Sequence, residues 1–180
     1  MSAVINDTGQ LVQFLKNVKL FAELSPDSLA KLGTCLKTAE FPPAEVIVRE
    51  GAPGVSMYII KSGLVEVRKK DPATGIDFLV AQLTEGAAVG EMSLLTGEKR
   101  SATVRADGDC YVMEISKDVM ANVVRDAPEC LKQLSELLAK RKMETEGILK
   151  DAATSSADQA AKQREYTATF LRRLKTFFAL

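Results

Sequence analysis

The hydrophobic period of this chain changes from helical to alternating and back. Between residues 8 and 20, Leu11, Val12, Phe14, Leu15 and Val18 recur at helical spacing, and Leu20-Phe21 closes the segment. Ser25-Pro26-Asp27 is a helix start, with a capping hydroxyl, proline at the first helical position and an acid in the first turn. That helix continues through Leu29, Leu32 and Leu36. From Phe41 the period becomes two: Val46 and Val48 alternate with Ile47 and Arg49. Gly51-Ala52-Pro53-Gly54 predicts a turn, Met57 to Ile60 a strand, Lys61-Ser62-Gly63 a second turn into Leu64 to Val67, and Asp71 to Gly75 a third into Ile76 to Leu83. Ser101 to Val104 is a further β-type run, and Cys110 to Ile115 supplies the last strand. Ser116 caps a short helix, Lys117 to Arg125, and Pro128 starts a longer one carrying Leu131, Leu134, Leu137, Leu138 and Met143.

Residues 152–162 are small and polar and read as a linker or weak helix. From Tyr166, the apolar Phe170, Leu174, Phe177 and Phe178 return at helical spacing, interleaved with Arg164, Arg172, Arg173 and Lys175. Short strands at close spacing with glycine at their turns predict an α+β chain, an antiparallel β-barrel or jelly roll. An N-terminal helical segment (residues 1–40) precedes the barrel and its following helices (41–150), and a linker with a tail helix (151–180) ends the chain.

Composition narrows the chemistry. Lysine plus arginine, 24, equals aspartate plus glutamate, 24. That balance disfavours a nucleic-acid binder relying on non-specific attraction. There is no histidine, which removes the commonest general base and makes a zinc site improbable. Cys35, Cys110 and Cys130 lack metal-ligand spacing and read as small core residues in a reducing, cytoplasmic setting. No apolar run is long enough to span a bilayer. The basic tail helix suits docking on a partner or packing on its own domain more than the third alternative, contact with a membrane surface.

The densest chemistry lies in Val89 to Val104, Val-Gly-Glu-Met-Ser-Leu-Leu-Thr-Gly-Glu-Lys-Arg-Ser-Ala-Thr-Val. One helical turn between glycines leaves backbone N–H groups to attract an anion. Arg100 adds a planar donor fork suited to phosphate. Glu91 would repel phosphate but accepts hydrogen bonds from sugar hydroxyls. Together these describe a site for a sugar phosphate with one negative charge. The alternative is a surface β–turn–β in which Glu91 and Arg100 form an ordinary ion pair.

The stretch resembles the phosphate-binding cassette of cyclic nucleotide-binding domains: Phe-Gly-Glu, a few apolar or small residues, a short loop, then Arg-Ser/Thr/Ala-Ala. The departure is Val89, where the family usually has Phe. "LFAELSPDSLAKL" resembles part of that family's N-terminal helical bundle. Gly51 to Gly63 resembles its Gly-x-x-Gly-Asp-x-x-Tyr-x-Ile-x-x-Gly motif, with Val55 replacing the acid. The resemblance implies that Glu91 takes the ribose 2′-hydroxyl and Arg100 the cyclic phosphate. It further implies that Gly90, Met92, Ser93, Ser101 and Ala102 line sugar and phosphate, and that Val67 and Met92 flank the base. The last helix is then a moving lid, and Arg141 either caps the base or belongs to a solvated charged face.

The implied ligand is cAMP or cGMP, with Arg-Ser-Ala-Thr favouring cAMP, and no other cofactor. "LSELLAKRKMETEGIL" and "FLRRLKTFFAL" resemble the C-terminal sensor of bacterial cyclic nucleotide-gated channels of the small-conductance mechanosensitive family. The implied partners are the remaining domains or subunits of a membrane channel, through which the chain would oligomerise on the cytosolic face. A transcription regulator needs a helix-turn-helix that the tail is too short to supply. A kinase regulatory subunit would usually carry two such domains and an arginine-rich inhibitory segment. A ligand-free docking module on the same barrel is the other alternative. A cupin-like hydrolase needs metal-binding histidines, so no enzymatic activity is expected.

Overall fold

The computed structural model describes residues 8–22, 24–145 and 155–179. Helix α1 (Thr8–Asn17) and a 3-10 turn (Lys19–Phe21) lead into α2 (Pro26–Cys35). The expected start of α2 is present, since Ser25 Oγ accepts from the Ser28 amide at 3.2 Å. Strands β1 (Lys37–Phe41), β2 (Val46–Val48), β3 (Ser56–Lys70), β4 (Asp77–Leu83) and β5 (Ala88–Val89) precede helix α3 (Glu91–Thr96). Strand β6 (Thr103–Ser116) follows, then α4 (Lys117–Asp126), α5 (Cys130–Thr145) and α6 (Ser156–Phe178). Ser116 caps α4 by accepting from the Val119 amide at 3.3 Å.

The expected jelly-roll arrangement is an open antiparallel sheet ordered β1-β6-β3-β4, with β2 also pairing β6 and β5 pairing β3. Its backbone is the β3–β6 pair, running from Ser56 opposite Ser116 to Arg68 opposite Thr103. Because successive strand residues point to opposite faces, Ile59 and Ile60, both fully buried, serve different cores. Ile59 joins the helices in a cluster with Phe21, Leu29, Leu95, Leu134 and Leu174, whereas Ile60 packs with Val65, Val104 and Val112.

Several expectations need correction. Lys61-Ser62-Gly63 is not a turn between two strands. β3 passes through it without ending, and the register against β6 shifts on either side of Ser62. Gly63 has φ +99°, and a Cβ there would lie 2.5 Å from the Asp109 carbonyl oxygen. The glycine therefore makes a bulge and a close strand approach. The runs expected at Ser101–Val104 and Cys110–Ile115 are largely one strand, β6, beginning at Thr103. Cys35 is exposed at the end of α2, while Cys110 and Cys130 are buried. Burial pushes the Cys130 thiol up to about 11. Of the segment read as a linker or weak helix, residues 156–162 take the helical form, so α6 starts ten residues before Tyr166, where Ser155 Oγ accepts from the Asp158 amide at 3.1 Å. The remainder of the expected linker, 152–154, and the start of the chain lie outside the described residues.

Candidate functional site: a glycine-bracketed turn beneath helix α5

Helix α3 is bounded by two residues in the left-handed region, Gly90 at φ 79° and Gly97 at φ 74°, which favour glycine. The Gly97 amide donates to the Ser93 carbonyl at 3.0 Å, and Thr96 Oγ1 donates to the Met92 carbonyl at 2.7 Å. Leu94 and Leu95, both buried, anchor this single turn in the helical core. Anchoring its C-terminal half draws the first residue inward: Glu91 is 1% exposed.

A buried carboxylate needs partners. Glu91 Oε1 lies 3.1 Å from Arg141 Nε of α5, and this oxygen makes no hydrogen bond of good geometry. Arg141 Nη2 donates to the Ala88 carbonyl at 2.8 Å, so α5 grips both the carboxylate and the strand that precedes it. Burial raises the Glu91 pKa above the ordinary carboxylate value, against the opposing pull of Arg141. A folded pKa above the unfolded one means that the stability contributed by protonated Glu91 is full below the ordinary range and lost as pH rises through the folded value. Glu91→Gln is therefore expected to raise the melting temperature of the chain at pH 7, with the gap closing on acidification. A lower melting temperature for the variant at pH 7 would show that the Arg141 attraction outweighs burial.

Arg100 is 7% exposed and faces the same backbone. Nη1 donates to the Gly90 carbonyl and Nη2 to the Ser56 carbonyl, each at 2.7 Å. Its main chain is fixed by exchange with the Gly51-Gly54 loop: the Arg100 amide donates to Ala52 and the Gly51 amide to Arg100, both at 2.8 Å. A Cβ on Gly54 would overlap the guanidinium, and one on Gly90 would come within 2.5 Å of Nη1. Both glycines thus make room for the arginine. The ordinary Glu91–Arg100 ion pair is not what forms: Glu91 takes Arg141, and Arg100 takes two carbonyls.

The structure brings Gly90, Glu91, Arg100 and Arg141 into one contact network. Ser93 is buried, Met92 and Ala102 are half-buried, and Ser101 is exposed beside Arg100. Val67 stands on β3 opposite Val104, on the strand that leaves the cassette, and packs with the inner sheet cluster. Sequence reasoning missed the carbonyls of Ser56 and Ala88, because a backbone acceptor carries no residue signature. Gly54 had a signal, its place in a glycine-rich turn, but that read only as a turn. Among the described residues no group of three or more His, Cys, Asp and Glu side chains is placed to hold a metal ion. Nor is any described helix long and apolar enough to cross a membrane.

A buried carboxylate held by an arginine, a second arginine fixed on two carbonyls and a glycine-opened backbone thus come together at one end of an antiparallel sheet. The profile of the cyclic nucleotide-binding domain matches residues 38–127, half of the chain. The chain belongs to the cyclic nucleotide-binding domain family. It is similar to the cAMP-dependent protein kinase regulatory subunit of Emericella nidulans, 34% identical over 105 residues, which cover 58% of this chain and 24% of that protein. It is equally similar to potassium/sodium hyperpolarization-activated cyclic nucleotide-gated channel 2 of Mus musculus, 34% identical over 116 residues, 64% of this chain and 13% of the channel. Among solved structures, the regulatory domain of Toxoplasma gondii protein kinase A co-crystallised with cAMP superposes with a TM-score of 0.64 at 26% identity, covering 72% of this chain and 49% of that one. The chain thus spans 24% and 13% of the length of the two relatives.

Proposed function

We propose that this chain is a cyclic nucleotide sensor that favours cAMP and passes occupancy to an attached effector through α5. The observation that carries the reading is Glu91, a buried carboxylate with an unbonded oxygen held by an arginine from α5. A ribose hydroxyl can satisfy that oxygen, and Arg100, already at the Gly90 carbonyl, can turn its remaining donors to the cyclic phosphate. Nucleotide and Arg141 then compete for Glu91. A ligand that wins the competition favours states in which α5 is displaced or re-seated, and the population shifts accordingly. In the re-seated state Arg141 caps the base. Gly90, Met92, Ser93, Ser101 and Ala102 line the sugar and phosphate, with Val67 beside the base.

Preference for cAMP is supported by the kinase and cAMP-bound relatives. An effector in a membrane channel on the cytosolic face is supported by the likeness to hyperpolarization-activated channels. Neither named relative is a mechanosensitive channel, so that narrower identification rests on the sequence runs alone. A second reading, a kinase regulatory subunit, is favoured equally by the fungal alignment. Binding and inhibition of a cAMP-dependent kinase catalytic subunit by this chain would select it.

The primary test is calorimetric titration of the ligand-free chain with cAMP and cGMP. Saturable binding at micromolar concentrations or tighter, with cAMP the stronger, is expected. Spin labels on α5 and β4 are expected to report a distance change on saturation. Absence of binding by either nucleotide sinks the sensor and leaves a docking module.

A further inference from the structure

The tail helix α6 does not offer its apolar stripe to an outside partner. Phe170 and Leu174 are buried in the helical core, with Tyr166, Leu171 and Phe178 packed against it. Along α5, Lys142 Nζ lies 5.4 Å from the centre of the Tyr166 ring, and Gln163 Nε2 donates to the Glu136 carbonyl at 3.4 Å. The far end of the same helix reaches the cassette. Arg173 Nη1 stands 3.7 Å from Glu98 Oε1, in the loop that follows α3. Lys117, at the head of α4, places Nζ 3.9 Å from the centre of the Phe177 ring. Between α3 and α6 lies a cleft of about 630 Å³ lined by Leu95, Thr96, Arg172, Thr176 and Phe177. The helix is therefore packed firmly on α5, while its far end meets the cassette loop across the cleft through the exposed Arg173–Glu98 ion pair and meets α4 through the Lys117–Phe177 ring contact, both of which can be released.

We propose that α6 is a positioning element for the nucleotide site. It ties α5, which carries Arg141, to the loop behind Glu91, and so sets nucleotide affinity without touching the site. The inference rests on the sensor reading. A helix joined to both sides of the Arg141–Glu91 contact favours the state in which that contact is made. Loosening its cassette end frees Glu91 for ligand. By linkage, nucleotide must loosen that end in return.

The test uses the full chain with Arg173→Glu and Phe177→Ala combined, positions outside the buried core, so that thermal melting is expected to show a folded protein. Calorimetry with cAMP is expected to give affinity about 5-fold tighter than wild type, the lower end of ordinary coupling. Arg173→Lys should keep the wild-type value, and Glu98→Lys placed on Arg173→Glu should restore it, which a merely structural role would not require. Equal or weaker affinity in the folded variant overturns the proposal. Should neither wild type nor variant bind cAMP or cGMP, the sensor reading fails, and hydrogen exchange of residues 91–99 in the nucleotide-free chain decides the brace. Faster exchange in the variant upholds it, and unchanged exchange rejects it.

Discussion

Arg100→Ala is expected to weaken cyclic nucleotide binding by about 10- to 150-fold, the effect of losing a charge-assisted hydrogen-bonded contact of about 1.5–3 kcal/mol. The guanidinium commits two of its five donors, to the Gly90 and Ser56 carbonyls, at 2.7 Å each. It therefore stays aimed across the cassette while donors remain for a phosphate. Arg100→Lys retains the charge but not the fork, and should fall between wild type and alanine. Arg100→Ala removes donors from the Ser56 and Gly90 carbonyls, so stability must be measured beside affinity. A folded Arg100→Ala chain that binds cAMP as tightly as wild type would remove the phosphate from this position.

How far that site was legible in the sequence depended on which atoms do the work. Gly90, Glu91 and Arg100 announce themselves by type and order, because only glycine suits the left-handed turn and only arginine presents a planar fork. Their actual partners did not. The Ser56 and Ala88 carbonyls belong to residues whose side chains say nothing of the contact. That Arg141 reaches Glu91 depends on how α5 crosses the sheet, which periodicity along one helix cannot fix. Glu91 and Arg100 looked from spacing alone like an ion pair. The fold separates their roles because anchoring Leu94 and Leu95 turns Glu91 toward α5.

The elements followed the same rule. Ser25 and Ser116 caps were readable because capping is local chemistry. The start of α6 was obscured because Ser156 to Lys162 is small and polar, and its helicity is supported by Ser155 capping and by the packing of Phe170 and Leu174 further along. Cys35 reads as a core residue beside the apolar Leu36, whereas its own position at the end of α2 leaves it to solvent.

The largest stability loss is expected at Gly63, where the sequence predicts a turn and the structure instead runs a continuous strand. Gly63→Val should destabilise the chain by about 2–6 kcal/mol, combining a backbone strained by about 1–3 kcal/mol with overpacking of similar size. The reason is local and two-sided. The φ of +99° disfavours a β-branched residue, and the added Cβ would meet the Asp109 carbonyl oxygen at 2.5 Å and Cys110 Cα at 2.9 Å. Both are main-chain atoms of β6, so relief requires moving the strand that pairs with β3 through the centre of the sheet. Gly75→Ala is the matched control: φ is +69°, but nothing lies within 4 Å of its Cβ, so only the backbone cost of about 1 kcal/mol applies. Urea unfolding of the two variants should separate these contributions. If Gly63→Val loses no more than Gly75→Ala, the close approach of β3 and β6 is not a constraint, and the bulge in β3 can tolerate a side chain.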